Sequence, residues 1–190
     1  MPRDDFTLMV EVKSTEMRPS VMVYPANEQL IRELRKSVIK AAVQGYSLAN
    51  DLSKSSGGLD IPNRSGFFLF ILTYKDMYLG PGQPMWEEFL GEAVGSILES
   101  EGIDPQVIPP ERIVVLSLRE WDVLMSILHS DPTLLSQILK EMVVSNRHPT
   151  TAGFAFIQHL IPYVAAQPKL PYLDEEANRL FASLQAKMSS

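Results

Sequence analysis

Cysteine is absent from this 190-residue chain, which excludes a disulfide-stapled scaffold and any thiolate metal site. No apolar run approaches the roughly 20 residues needed to span a bilayer, and no signal-type apolar segment follows Met1. Both absences lead to the expectation of a cytoplasmic protein without a membrane partner. Basic residues are in deficit, with 17 Lys and Arg against 23 Asp and Glu, for a formal net charge of −6. That balance argues against coating nucleic acid by bulk charge, while leaving room for one local binding surface. The three histidines, His129, His148 and His159, are too scattered for a metal motif. Two glycines and two prolines crowd Leu79 to Pro84 as a turn, without the strand-to-helix glycine fingerprint of a phosphate loop. No nucleophile elbow is present either, so small-molecule chemistry of those kinds finds no support.

What the chain does contain is alternation of short apolar runs with helical patterns. Phe6 to Lys13 alternates as a strand, sending Phe6, Leu8, Val10 and Val12 to one face and Thr7, Met9, Glu11 and Lys13 to the other. Asn27 to Leu52 reads as one helix capped by Asn27, with Ile31, Leu34, Val38, Ala41, Gly45, Leu48 and Leu52 as its apolar stripe. Gly45 would let that stripe approach a sheet closely. Arg32, Lys36 and Lys40 recur on the opposite, solvated side. Gly66 to Tyr74 is continuously apolar and of strand length, the pattern of a strand buried on both faces.

A further helix is expected from Pro84 to about Ser100, with Trp86, Phe89, Leu90, Ala93, Val94, Ile97 and Leu98 inward and Glu87, Glu88 and Glu92 in solvent. Arg112 to Leu118 reads as a third strand. Ser117 and Glu120 have capping-box spacing for the helix that follows, and Asp131-Pro132 opens the next one. Helices from about Thr151 to Ala165, containing Pro162, and from about Leu173 to Lys187 complete the chain. Strand–helix–strand–helix–strand followed by helices predicts an α/β fold with a central mixed sheet covered by helices. Residues 1–118 would form the core and residues 119–190 a C-terminal all-helical extension packed on it.

Ionisable groups enter an apolar strand only at Glu11 and Lys13. An acid-x-lysine triplet arises about once by chance at this composition, so its place at the end of a strand, before a loop, a long helix and a doubly buried strand, carries the signal. In that order of elements, Val10-Glu11-Val12-Lys13-Ser14 resembles the (D/E)XK strand of the PD-(D/E)XK nuclease superfamily, whose fold is restriction-endonuclease-like. Asn27 to Leu52 resembles its core helix and Gly66 to Tyr74 its next core strand, so the likeness covers roughly residues 6–75. The resemblance implies Mg²⁺-dependent hydrolysis of phosphodiester bonds in DNA, with Glu11 ligating the metal and Lys13 assisting the attacking water and the charged phosphate. Some members add a glutamine from the core helix, for which Gln44 is the candidate, although Tyr46 does not reproduce the usual glutamine-to-tyrosine spacing.

The family also requires an aspartate on a neighbouring strand. Asp5 stands six residues before Glu11, which along a continuous strand is about 20 Å, too far for one ion with ligand distances near ~2.1 Å. Arg3-Asp4-Asp5 reads instead as a hairpin turn. The chain is therefore expected to be an N-terminally incomplete or reduced member of the family, either a Mg²⁺-dependent endonuclease or a nuclease-like protein left inactive for want of the partner aspartate. The expected partners are DNA and either a second copy of the chain or an N-terminal segment preceding Met1. The DNA-binding face would lie around Lys13, Arg18 and Lys54 to Arg64. The alternative is a non-catalytic α/β interaction module in which Glu11 and Lys13 pair at a strand end, a contact worth under about 1 kcal/mol if exposed.

Overall fold

Three parallel strands in the order β1-β2-β3 form the sheet, comprising β1 (Thr7–Lys13), β2 (Phe67–Thr73) and β3 (Ile113–Ser117). The computed structural model describes residues 6–14, 27–54, 66–77, 79, 82–148, 150–151, 153, 155–166 and 179. Pairing runs from Thr7 opposite Phe67 to Lys13 opposite Thr73, and from Leu69 opposite Ile113 to Thr73 opposite Ser117. Lys13, Thr73 and Ser117 thus stand at one level, the carboxyl edge of the sheet. Among the described residues all strands are parallel, so the antiparallel member of the expected mixed sheet is not found there. The α/β class itself is what the chain adopts.

Every residue of β2 is buried, as its unbroken apolar run requires when both faces are covered. Removing one such Phe or Leu side chain from water contributes about 1.5–3 kcal/mol, which fixes β2 as the centre. Two helices follow β1: α1 (Asn27–Lys36) and α2 (Val38–Lys54). The sequence pattern predicted one helix; the chain breaks at buried Ser37, whose hydroxyl donates to the Glu33 carbonyl at 3.2 Å. Ser back-bonding of this kind competes with the helical ladder.

The apolar stripe also shifts along α2. Leu34, Val38, Ala41 and Gly45 are buried as expected, but Leu48 is 49% exposed and Ala49 is buried in its place. At about 100° per residue Leu48 falls just outside the buried arc that Ala49 enters, while Leu52 still packs against the core. Gly45 does permit close approach: a Cβ there would lie 2.5 Å from Cδ2 of Leu69.

Between β2 and β3 the chain forms α3 (Gly82–Met85), a π-helical turn (Trp86–Leu90) and α4 (Gly91–Glu101). Helices α2, α3 and α4 pack on the face of the sheet that carries Met9, Phe67, Leu69, Ile71 and Ile113. After β3 come α5 (Leu118–Ser130), α6 (Leu134–Ser145) and α7 (Ile157–Ala166). These helices, expected as an extension, cover the opposite face of the sheet through Phe68, Phe70, Leu72, Val114 and Leu116.

The Ser117–Glu120 capping box forms in full at the start of α5. Asp131 accepts from the Thr133 amide at 2.9 Å, the capping bond expected of it, but regular helix begins only at Leu134. The extended piece at Val21 to Tyr24, residues 55–65, Asp4, Asp5, Arg18 and, apart from Arg179, the helix expected over Leu173 to Lys187 lie outside the described residues. No described helix is long and apolar enough to cross a membrane.

Candidate functional site

Glu11, Lys13 and Gln44 meet at the carboxyl end of β1. Alternation along the strand turns Glu11 and Lys13 toward the face covered by α2, where Met9 is buried two residues earlier. Gln44 sits one residue before Gly45, the point at which α2 comes closest to the sheet, and its position on the flank of the helix carries it over Lys13. Lys13 Nζ donates to Glu11 Oε1 at 2.6 Å and to Gln44 Oε1 at 2.8 Å. Its side chain is 16% exposed and that of Glu11 is 34% exposed.

The low exposure of Lys13 matters. An ammonium withdrawn from water is costly unless charge and hydrogen bonds compensate it, and here one carboxylate and one amide oxygen do so. An ammonium has three N–H donors, and among the described residues two of them are engaged. Glu11 Oε2 has no hydrogen-bond partner among the described residues, which leaves it as an acceptor.

Beside this trio lies a cleft of about 330 Å³ at the carboxyl edge of the sheet, lined by Val12, Lys13, Ser14, Thr73, Tyr74 and Leu118. Thr73 and Ser117 point no spare chemistry into the edge. The Thr73 hydroxyl donates to the Lys75 carbonyl at 2.8 Å, and Ser117 is committed to its capping box. Lys13 is the charged group of the cleft, and the Tyr74 ring and Leu118, 58% and 38% exposed, give it apolar walls. These wall residues were not legible as site residues; an aromatic directly after a buried strand was the available signal.

Tyr46 has no part in this arrangement. It points to the other side of α2, is buried, and donates to the Ile108 carbonyl at 2.6 Å. Burial, and secondarily the charge of Glu111, hold its hydroxyl far above the ordinary tyrosine range. The histidines stay dispersed in role. His159 contacts Asn146 Oδ1 through Nε2 at 3.2 Å, and burial lowers its pKa despite the opposing influence of Glu141.

Mg²⁺ would require more oxygen donors than these. No group of three or more His, Asp or Glu side chains gathers among the described residues, so the visible set is one carboxylate. The described donors therefore do not make up the two-carboxylate site the nuclease resemblance implies, and Asp4 and Asp5 fall outside them. No family model, no curated protein and no solved structure matches this chain.

Proposed function

We propose that the protein is a nuclease-like module of the PD-(D/E)XK type that engages a phosphodiester of DNA at the carboxyl edge of β1. The observation that carries this reading is the ammonium of Lys13, held between Glu11 and Gln44 with one donor to spare among the described residues. A strand that ends in the acid-x-lysine pair, a helix that returns a glutamine to it as in some members, and a central strand that follows support the reading; the aspartate the family also requires is not among the described residues. Lys13 would donate its remaining N–H to a phosphate oxygen, an interaction strengthened by charge. Gln44 and Glu11 together fix the orientation of the lysine. A metal-bound water nucleophile is what Mg²⁺ supplies in such hydrolases; Glu11 is the one described residue that would hold the ion.

A restriction-endonuclease-like core would place a further strand against the free edge of β1, which among the described residues pairs only with β2. That edge is where an aspartate partner belongs. The interaction-module reading has its own support in the single visible carboxylate. Incubating the protein with supercoiled plasmid and Mg²⁺ or Mn²⁺ tests the proposal. Nicking that disappears in Glu11→Gln and Lys13→Met supports a complete nuclease. Retention of DNA without cleavage assigns the chain to the catalytically incomplete form. Absence of both, with the chain folded, overturns the proposal in favour of the interaction module.

A further inference from the structure

A second and larger depression, about 810 Å³, runs between α2 and the π-turn with α4, and it reaches Gln44 at one point of its rim. Its lining is sorted by chemistry. Ile39, Val43, Phe89, Ala93 and Ile97 supply apolar surface, and all but buried Ile39 are only partly covered although they adjoin the core. On the α1–α2 side stand the exposed cations Arg35 and Lys40; on the other stand the exposed acids Glu87, Glu88 and Glu92.

The π-turn builds the acidic rim. In a regular α-helix Glu88 and Glu92 stack one turn apart while Glu87 is rotated away. The wider turn, closed by the Gly91 amide bonding to the Trp86 carbonyl, aligns residues five apart and so brings Glu87 toward the line of Glu92. Gly91 is needed for it, since a Cβ there would lie 2.8 Å from Trp86 Nε1 and 2.9 Å from the Trp86 carbonyl oxygen. Trp86 in turn meets Tyr46 of α2 with ring centroids 5.9 Å apart, which holds the two walls together.

From this arrangement we infer that the groove between α2 and α4 is a docking site for an amphipathic partner helix with acidic residues along one flank of its apolar stripe and basic residues along the other. An apolar floor between rims of opposite sign complements such a helix on three faces at once. A polyanion is disfavoured because three carboxylates line one rim, and a uniformly basic peptide because Arg35 and Lys40 line the other. The inference is independent of nuclease activity: it places a protein partner beside the Lys13 site, with Gln44 at the border of both.

Three fluorescent helix-forming 18-residue peptides with one shared leucine stripe provide the test, by anisotropy against the full chain at low salt. One carries Glu on one flank and Lys on the other, one carries Glu on both, and one carries Lys on both. The mixed peptide should bind about tenfold more tightly than either other, the scale of two or three exposed ion pairs. In the exposed double variant Glu88→Lys with Glu92→Lys, the all-Glu peptide should become the best ligand. Equal or absent binding of the three peptides, or a ranking unchanged in the variant, overturns the inference. A wild-type dimer that the variant dissociates would assign the groove to a second copy instead, and displacement of the mixed peptide by a single-stranded oligonucleotide would assign it to a polyanion.

Discussion

Replacing Glu120 by Gln should destabilise the fold by about 2–4 kcal/mol without touching the Lys13 site. Glu120 is buried, and its two carboxylate oxygens serve different elements. Oε2 accepts from the Ser117 amide at 2.8 Å and from the Ser117 hydroxyl at 3.1 Å, closing the first turn of α5. Oε1 accepts from the Ile157 amide at 2.8 Å, at the first residue of α7. A carboxylate can accept at both ends, but a carboxamide offers one oxygen and one NH₂. Whichever way Gln is turned, the NH₂ faces an N–H donor, so one backbone amide loses its acceptor. A buried donor left unpaired costs about 1–3 kcal/mol, and bonds to a charged acceptor are at the upper end of the range. If the amide turns its NH₂ toward Ser117, the capping contribution of about 1 kcal/mol is lost as well. Urea denaturation followed by circular dichroism measures the change as a shift in midpoint at constant slope. A variant within about 0.5 kcal/mol of wild type would refute the reasoning, because it would mean that Glu120 does not join α5 to α7.

Gly45→Val should destabilise by about 2 kcal/mol or more, since its side chain must displace Leu69 from the closest approach of α2 to the sheet; thermal unfolding checks this. Tyr46→Phe should cost about 1–2 kcal/mol in the same assay, because the buried Ile108 carbonyl loses its donor. The pKa of His159 is lowered below its ordinary 6.5 by burial, so the unfolded chain binds the proton more readily. Stability should therefore fall as pH drops below about 6.5, and the difference in unfolding free energy between pH 7 and pH 5 should shrink in His159→Gln.

Much of the architecture was legible because single segments carried unambiguous physics. The unbroken run from Phe67 to Thr73 can be satisfied only between two layers, and Ser117 with Glu120 announces a helix start by spacing alone. Gln44 was reachable because the resemblance points to a glutamine on the core helix and Gln44 lies on a flank of that helix. What escaped the sequence depends on departures from ideal periodicity. A seven-residue stripe named Leu48 where helix geometry buries Ala49. Ser37 interrupts a pattern that composition continues. Glu87, Glu88 and Glu92 are solvated as their pattern indicates, but their alignment along one rim depends on a π-turn that regular periodicity does not announce, and their facing cations on α1 and α2 lie about fifty residues away. The partial burial of Lys13 was likewise invisible, since a strand end reads as exposed until the helix above it is placed.

The central proposal is that the ammonium of Lys13 donates to a phosphodiester. Its most direct test is the salt dependence of affinity for a short DNA duplex, compared between wild type and Lys13→Met. Losing one phosphate contact should weaken binding at every salt concentration and reduce the slope of log affinity against log salt by about 0.9. Identical affinities and slopes in the two proteins would contradict the account.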